Sequence, residues 1–291
     1  MEHENYSGFA LIQRVVPAIL TKSTTTQEAS VPKILHIDIE TSPNLCWVWN
    51  LWQETVQLER LIEVQRTLSF AAKWDGEPAK DMQFYSIHDF DKGRNTVKAQ
   101  DRMIEAAKSL LDEADIVVHY NGTRFDMPYL NREFYLTKRT PPSPYKQVDL
   151  YLTARKVFKF PSNKLQHVSE ASGLGGKISK ADGVVFDLWA RCMDGDTDAW
   201  KLMRKYNKRD VVLTEGVYHR MLPWIVSHPN LGAFTGERCC PACGSTHLQV
   251  RGYAVLNTGR YPRYQCQNPL CGKYSRGTKS DQRTALVNIT A

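Results

Sequence analysis

KILHIDIET (residues 33–41) is a short, isoleucine-rich run interrupted by two acids. Such a run fits a central β-strand. Alternation along a strand puts residues i and i+2 on one face, so Asp38 and Glu40 project the same way. Two carboxylates side by side in an apolar strand repel each other and are costly to bury unless a cation neutralises them. The stretch therefore predicts both a strand inside a sheet and a cation beside it.

Downstream, QRTLSFAAKW and MQFYSIHDF read as further strands, with Trp47, Trp49, Trp52 and Trp74 expected to pack in the core or at interfaces around them. Asp101 to Asp115 has helical spacing, with Met103, Ala106, Leu110 and Leu111 on its apolar side. ADIVVHYN follows as a buried strand. Pro128 sits in the first turn of a helix over PYLNREFYL. QVDLYLTARKVF reads as a strand-to-helix passage, NKLQHVSEASGL as a helix ending at glycines, and Trp200 to Trp224 as the longest helical pattern. Strands alternating with helices indicate an α/β fold with a mixed sheet. Residues 1–30 read as an extension or linker, 31–235 as the main domain and 236–291 as a small second module. HPNLGAFTG (228–236) reads as the linker between the last two.

Hydrophobic residues make up 42% of the 291-residue chain and charged residues 24%, ordinary for a soluble globular protein. No apolar run approaches the ~20 residues that span a bilayer. The N-terminus lacks a basic segment ahead of an apolar one, so a secretory leader is not expected, and the expected location is cytoplasmic. Of seven cysteines, five fall between positions 239 and 271. In a cytoplasmic chain such clustering favours a metal site over disulfides. Cys240 and Cys243, then Cys266 and Cys271, form two knuckle-like pairs that resemble a small C-terminal zinc ribbon, and their four thiolates suit one structural Zn2+. Cys239 is the spare neighbour in this reading. Residues 236–291 carry eight basic and two acidic residues, and so six of the seven net positive charges. Arginines interleaved with Tyr253, Tyr261 and Tyr264 suit contact with a polyanion that also stacks: nucleic acid rather than membrane.

Two further acidic segments complete the pattern. Asp126 follows the polar turn NGTRF after the IVVH strand, at a strand's carboxyl end, where α/β sheets bind ligands. Tyr206 and Asp210 lie four apart on the long helix and share a face. Carboxylate ligands suit Mg2+ or Mn2+, and two such ions can clamp the attacking and leaving oxygens of a phosphodiester.

DIET (38–41), YNGTRFDMPYL (120–130) and YNKRD (206–210) resemble the three motifs of the DEDD family of 3′–5′ exonucleases, in its tyrosine branch. The middle segment is most similar to proofreading domains of family B DNA polymerases. ETSPNLCWVWNLW also resembles stand-alone nucleases of bacteriophages, which would place the protein in a host cytoplasm. The resemblance spans roughly residues 33–224 and implies an RNase H-like fold. It implies that Asp38, Glu40 and Asp210 hold one Mg2+ or Mn2+, that Asp38 and Asp126 hold a second, and that Tyr206 positions water. It further implies substrate contacts at Thr41, Asn121, Phe125 and Lys164, with His167 as an alternative to Lys164. The implied activity is release of nucleoside 5′-monophosphates from the 3′ end of single-stranded DNA. RNA as substrate and a non-cleaving nucleic-acid-binding protein remain alternatives.

Overall fold

A computed structural model of the chain describes residues 31–289 except 51, 53, 54, 92, 95, 179–181 and 183. The expected extension over residues 1–30 lies outside the described residues. Five strands form the main sheet: β1 (Ile34–Thr41), β4 (Thr67–Trp74), β5 (Gln83–Ser86), β6 (Ile116–His119) and β7 (Lys146–Asp149). A two-stranded pair, β2 (Leu45–Cys46) and β3 (Leu61–Glu63), lies between β1 and β4 in the chain. The main sheet runs β5-β4-β1-β6-β7. β1 is antiparallel to β4 and parallel to β6, so it is central and the sheet is mixed. This is the α/β, RNase H-like mixed sheet flanked by helices that the sequence predicts.

Helices α1 (Val97–Glu113), α2 (Asp126–Leu136), α3 (Leu150–Val157), α4 (Leu165–Ala171), α5 (Asp187–Met193), α6 (Thr197–Met221) and α7 (Gly232–Thr235) complete the body. α1 starts four residues before the expected Asp101, because the Thr96 hydroxyl caps Ala99 N–H. α6 likewise begins three residues early, where Asp196 accepts from Asp198 N–H and Ala199 N–H. The strand expected over MQFYSIHDF stops at Ser86. There Asp89 accepts from both the Ser86 amide and its hydroxyl and turns the chain into a 3-10 helix.

The pleat of β1 sorts its residues into two environments. Leu35, Ile37 and Ile39 face a core shared with Phe70, Met103, Ile104, Leu111 and Leu130. On the other face lie Ile34, His36, Asp38 and Glu40, and α6 crosses that face. Asp38 pairs with Ala71 and Glu40 with Ser69 across the β1–β4 ladder, so small side chains flank both acids. A second core joins Val118, Val148, Leu213, Val217 and Met221.

Residues 248–283 form a four-stranded sheet of β8 (Leu248–Leu256), β9 (Gly259–Cys266), β10 (Tyr274–Arg276) and β11 (Gln282–Arg283). Cys240, Cys266 and Cys271 belong to the second core together with Leu213 and Met221. Lys273 Nζ donates to the carbonyls of Pro223 (3.2 Å) and Ile225 (2.6 Å). The stretch 228–236, expected as a plain linker, holds α7 and the buried Leu231, whose N–H donates to Pro241 O (3.0 Å). It is packed because both of its neighbours offer apolar surface.

For three of the four tryptophans, packing in the chain's own core is not found. Trp47, Trp49 and Trp52 are exposed, whereas Trp74 is half-buried. The three lie on the segment between β2 and β3, outside both faces of the main sheet, and no layer covers them among the described residues. No described helix is long and apolar enough to cross a membrane.

Candidate metal centre

Asp38 and Glu40 on β1 meet Asp210 on α6, with one carboxylate oxygen of each within 4.8 Å of the others. All three carboxyls are held above the ordinary carboxylate range. Burial is the largest cause for all three. It lifts Glu40 to about 8, and Asp38 is held well above the usual carboxylate range, with the charges of Asp210, Asp126 and Glu40 adding to the effect. One oxygen of Asp210, Oδ1, is buried with no hydrogen-bond partner. An orphaned buried oxygen beside two other acids fits a divalent cation, and the all-oxygen donor set fits Mg2+ or Mn2+.

Neighbouring side chains fix the orientation of each acid. Asn207 Nδ2 donates to Asp38 Oδ2 (2.6 Å) and to Asp38 O (3.1 Å), and Asn207 in turn accepts from Ser69 Oγ (3.3 Å). Trp189 Nε1 donates to Glu40 Oε2 (3.1 Å). Lys177 Nζ contacts Asp210 and lies 4.9 Å from the Tyr206 ring centroid. Burial pulls the Lys177 ammonium down, but Asp210, Tyr206 and Asp38 beside it hold it above its ordinary value. Arg209 positions the lysine by donating to the carbonyls of Leu174 (3.0 Å) and Gly176 (3.1 Å). The Lys177 amide donates to Gln166 Oε1 (2.6 Å).

Asp126 opens α2 and is buried, but it stands outside the group of three. Its Oδ1 accepts from Ile39 N–H (3.0 Å), which ties α2 to β1. Burial raises Asp126 to about 7 despite that hydrogen bond, and its charge reaches Asp38. The turn before it is held rigidly. Asp149 accepts from the amides of Asn121 (3.0 Å) and Thr123 (3.2 Å), and Asn121 takes a left-handed φ of 67°. Gly122 lies so close to the His119 ring that an added Cβ would stand 2.4 Å from its Cγ, so only glycine fits there. The Gly122 amide donates to His119 Nδ1 (3.0 Å).

Tyr206 is half-buried against Trp189, ring centroids 5.9 Å apart, with its hydroxyl pKa raised by burial and by Asp210 and Glu40. Thr41 Oγ1 accepts from Gln65 Nε2 (2.7 Å). Phe125 packs edge-on against Tyr129 at 4.8 Å. Lys164 lies just before α4, and His167 lies 6.3 Å from Phe160. Neither hydrogen-bonds a carboxylate of the centre among the described residues. Sequence reasoning missed Lys177, Trp189 and Asn207. Only Asn207 carries a local signal, since it lies inside the YNKRD segment.

At the C-terminal sheet, Cys240, Cys243, Cys266 and Cys271 bring their sulfurs within 4.8 Å of one another. The Cys240–Cys271 and Cys243–Cys266 separations are 3.8 and 3.6 Å. Zn–S bonds of about 2.3 Å in a tetrahedron require S···S near ~3.8 Å, so the four sulfurs fit one Zn2+. Cys239 points elsewhere, 3.9 Å from Thr235 Oγ1, and His247 is exposed.

A mixed sheet with acids on its central strand and on the helix crossing it defines an RNase H-like domain. Residues 76–222 match a family model described as RNase_H superfamily, just over half of the chain. The chain belongs to the RNase H superfamily. The matched segment contains Asp126 and Asp210 but begins after β1. Among solved structures, the chain is similar to the family B DNA polymerase from the hyperthermophilic archaeon Pyrobaculum calidifontis, at 16% identity and a TM-score of 0.49. That similarity covers 80% of this chain and 33% of the polymerase, so the chain spans about a third of that protein's length. No curated protein matches the sequence.

Proposed function

We propose that the protein is a metal-dependent 3′–5′ exonuclease acting on single-stranded nucleic acid, with DNA the preferred substrate. The observation that carries the reading is the convergence of Asp38, Glu40 and Asp210 around a buried, unpartnered Asp210 oxygen. The direction of attack rests on the resemblance of three segments to exonuclease motifs. Asp38, Glu40 and Asp210 hold one divalent ion, and Asp38 with Asp126 holds a second. Such ions, when bound, activate water and stabilise the attacking and leaving oxygens of a phosphodiester.

The chain's own groups do the rest. Asn207 fixes the Asp38 carboxylate, and Trp189 fixes that of Glu40. Tyr206 keeps its proton at any working pH, so its hydroxyl orients the attacking water as a neutral hydrogen-bonding group. Lys177 neutralises Asp210. The four-cysteine module holds one structural Zn2+. Its arginines and tyrosines, with Arg260 4.1 Å from the Tyr253 ring and Arg276 4.7 Å from that of Tyr261, contact backbone and bases.

The test is a cleavage assay with Mg2+ or Mn2+ on 5′-labelled linear single-stranded DNA and RNA and on a circular single strand, with Asp38→Ala alongside. A ladder shortening from the 3′ end, absent in the variant and on the circle, is expected. Cleavage of the circle would show an endonuclease instead. Binding without any cleavage would show a protein that holds nucleic acid and does not cut it.

A further inference from the structure

Trp47, Trp49 and Trp52 are 74%, 86% and 95% exposed. A buried tryptophan is a large packing asset, and Trp200 in the same chain is 4% exposed. Three tryptophans left unburied in so short a stretch call for an occupant.

Their placement points to one. β1 does not end the chain's extended course at Thr41. The Ser42 amide donates to Arg66 O (2.8 Å), the Gln65 amide to Asn44 Oδ1 (2.7 Å) and the Trp47 amide to Arg60 O (2.9 Å). Between them, Leu45 pairs with Glu63 and Cys46 with Leu61. Residues 42–47 and 60–66 thus form a two-stranded arm that prolongs β1 and β4 beyond the bulge at Glu40 and Thr41. Gln65 fastens its root, donating to Thr41 Oγ1 (2.7 Å) and accepting from Tyr129 OH (2.6 Å). The strand that supplies Asp38 and Glu40 therefore runs directly into the tryptophans. Trp47 lies seven positions beyond Glu40, at most about 23 Å of extended chain. Residues 42–66 carry three acids, Glu54, Glu59 and Glu63, and two arginines, Arg60 and Arg66, and so a net charge of −1. The arm presents flat aromatic surface without the positive excess of the C-terminal module.

We propose that the arm is a base-stacking platform, with Trp47, Trp49 and Trp52 taking unpaired bases a few nucleotides from the strand end that enters the carboxylate centre. The inference rests on the nuclease reading for its polarity and its substrate. Every base has a π-face, so such stacking tolerates sequence and adds affinity that salt does not remove. The platform and the basic C-terminal module then grip the strand by different forces.

The test uses the full chain with no divalent ion added and a labelled single strand of about 12 nucleotides, within the usual range of single-strand site sizes, as DNA and as RNA. Binding is followed by anisotropy and by quenching of tryptophan fluorescence. Each Trp→Ala change at 47, 49 or 52 is expected to weaken binding by about 5- to 100-fold. The Trp→Phe changes should recover most of the loss. An abasic strand of the same length should bind wild type and Ala variants alike, because no bases remain to stack. With Mg2+ present, the Ala variants should raise KM on that oligonucleotide and leave kcat on a dinucleotide unchanged.

An Ala triple variant that melts like wild type and binds the oligonucleotide with wild-type affinity overturns the proposal, whether or not the protein cleaves. A wild-type dimer that the triple variant converts to a monomer, with affinity unchanged, also overturns it and makes the arm an interface between copies. Lost affinity in the variant, with no cleavage by wild type, upholds the platform while the nuclease reading falls.

Discussion

Lys177→Met removes the ammonium that contacts Asp210 and leaves the carboxylates facing one another. Taking one partner from a buried ion pair costs about 3–5 kcal/mol. Asp210 is 3% exposed and Lys177 25% exposed, so water reaches the ammonium and the lower end, roughly 3 kcal/mol, applies. In a chain of this size each kcal/mol moves Tm by about 2–4 °C, so the variant should melt roughly 6–12 °C below wild type. The measurement is a thermal melt at about pH 8 by circular dichroism with no divalent ion added, repeated along a Mn2+ titration. A bound cation replaces the missing charge, so Mn2+ should stabilise the variant more than the wild type and close most of the gap. A variant that melts within about 2 °C of wild type without ions would refute the argument that Lys177 neutralises the centre. Equal stabilisation of both proteins by Mn2+ would refute the argument that the ion takes over that role.

Three other outcomes are expected. Burial raises Glu40 from an ordinary 4.5 to about 8 and Asp126 from 3.8 to about 7. A raised carboxyl pKa stabilises the fold below the unfolded value and loses that contribution as pH climbs through the folded one. The ion-free protein should therefore lose stability steadily between about pH 4 and about pH 8, and Mn2+ should abolish the loss at the alkaline end; a flat melting profile over that range would contradict this. Cys271→Ala or a zinc chelator should lower the melting of the whole protein in one transition, because Cys240, Cys266 and Cys271 share a core with Leu213 and Met221. A separate low-temperature transition with the main one unmoved would show that the cysteine module stands apart. Finally, Arg263→Ser with Arg276→Ser should weaken single-strand binding and flatten its log–log salt slope by about 0.7 for each phosphate no longer neutralised. An unchanged slope would remove these arginines from the interface.

Much of the centre is legible in the chain because it depends on short-range periodicity. The pleat of residues 34–41 puts Asp38 and Glu40 on one face, and 3.6 residues per turn does the same for Tyr206 and Asp210 on α6. The spacing of the cysteine pairs brings together Cys240, Cys243, Cys266 and Cys271 as local loop geometry requires. Strand and helix alternation likewise yields the mixed sheet.

What the sequence could not decide is which surfaces meet. Lys177 reaches Asp210 from a glycine-rich loop held by Arg209, and Trp189 reaches Glu40 across 149 residues. No period links such positions; they meet because α6 lies across β1 over the small residues Ser69 and Ala71. The tryptophans make the same point in reverse. Hydrophobicity assigns Trp47, Trp49 and Trp52 to a core or an interface, but burial in a core needs a covering layer, and the arm carries them beyond the sheet. The chain by itself determined its strands, its helices and its candidate ligands. Tertiary packing alone decided which charges neutralise the centre, that the cysteine module is welded to the body's core, and which aromatic faces are left for a partner.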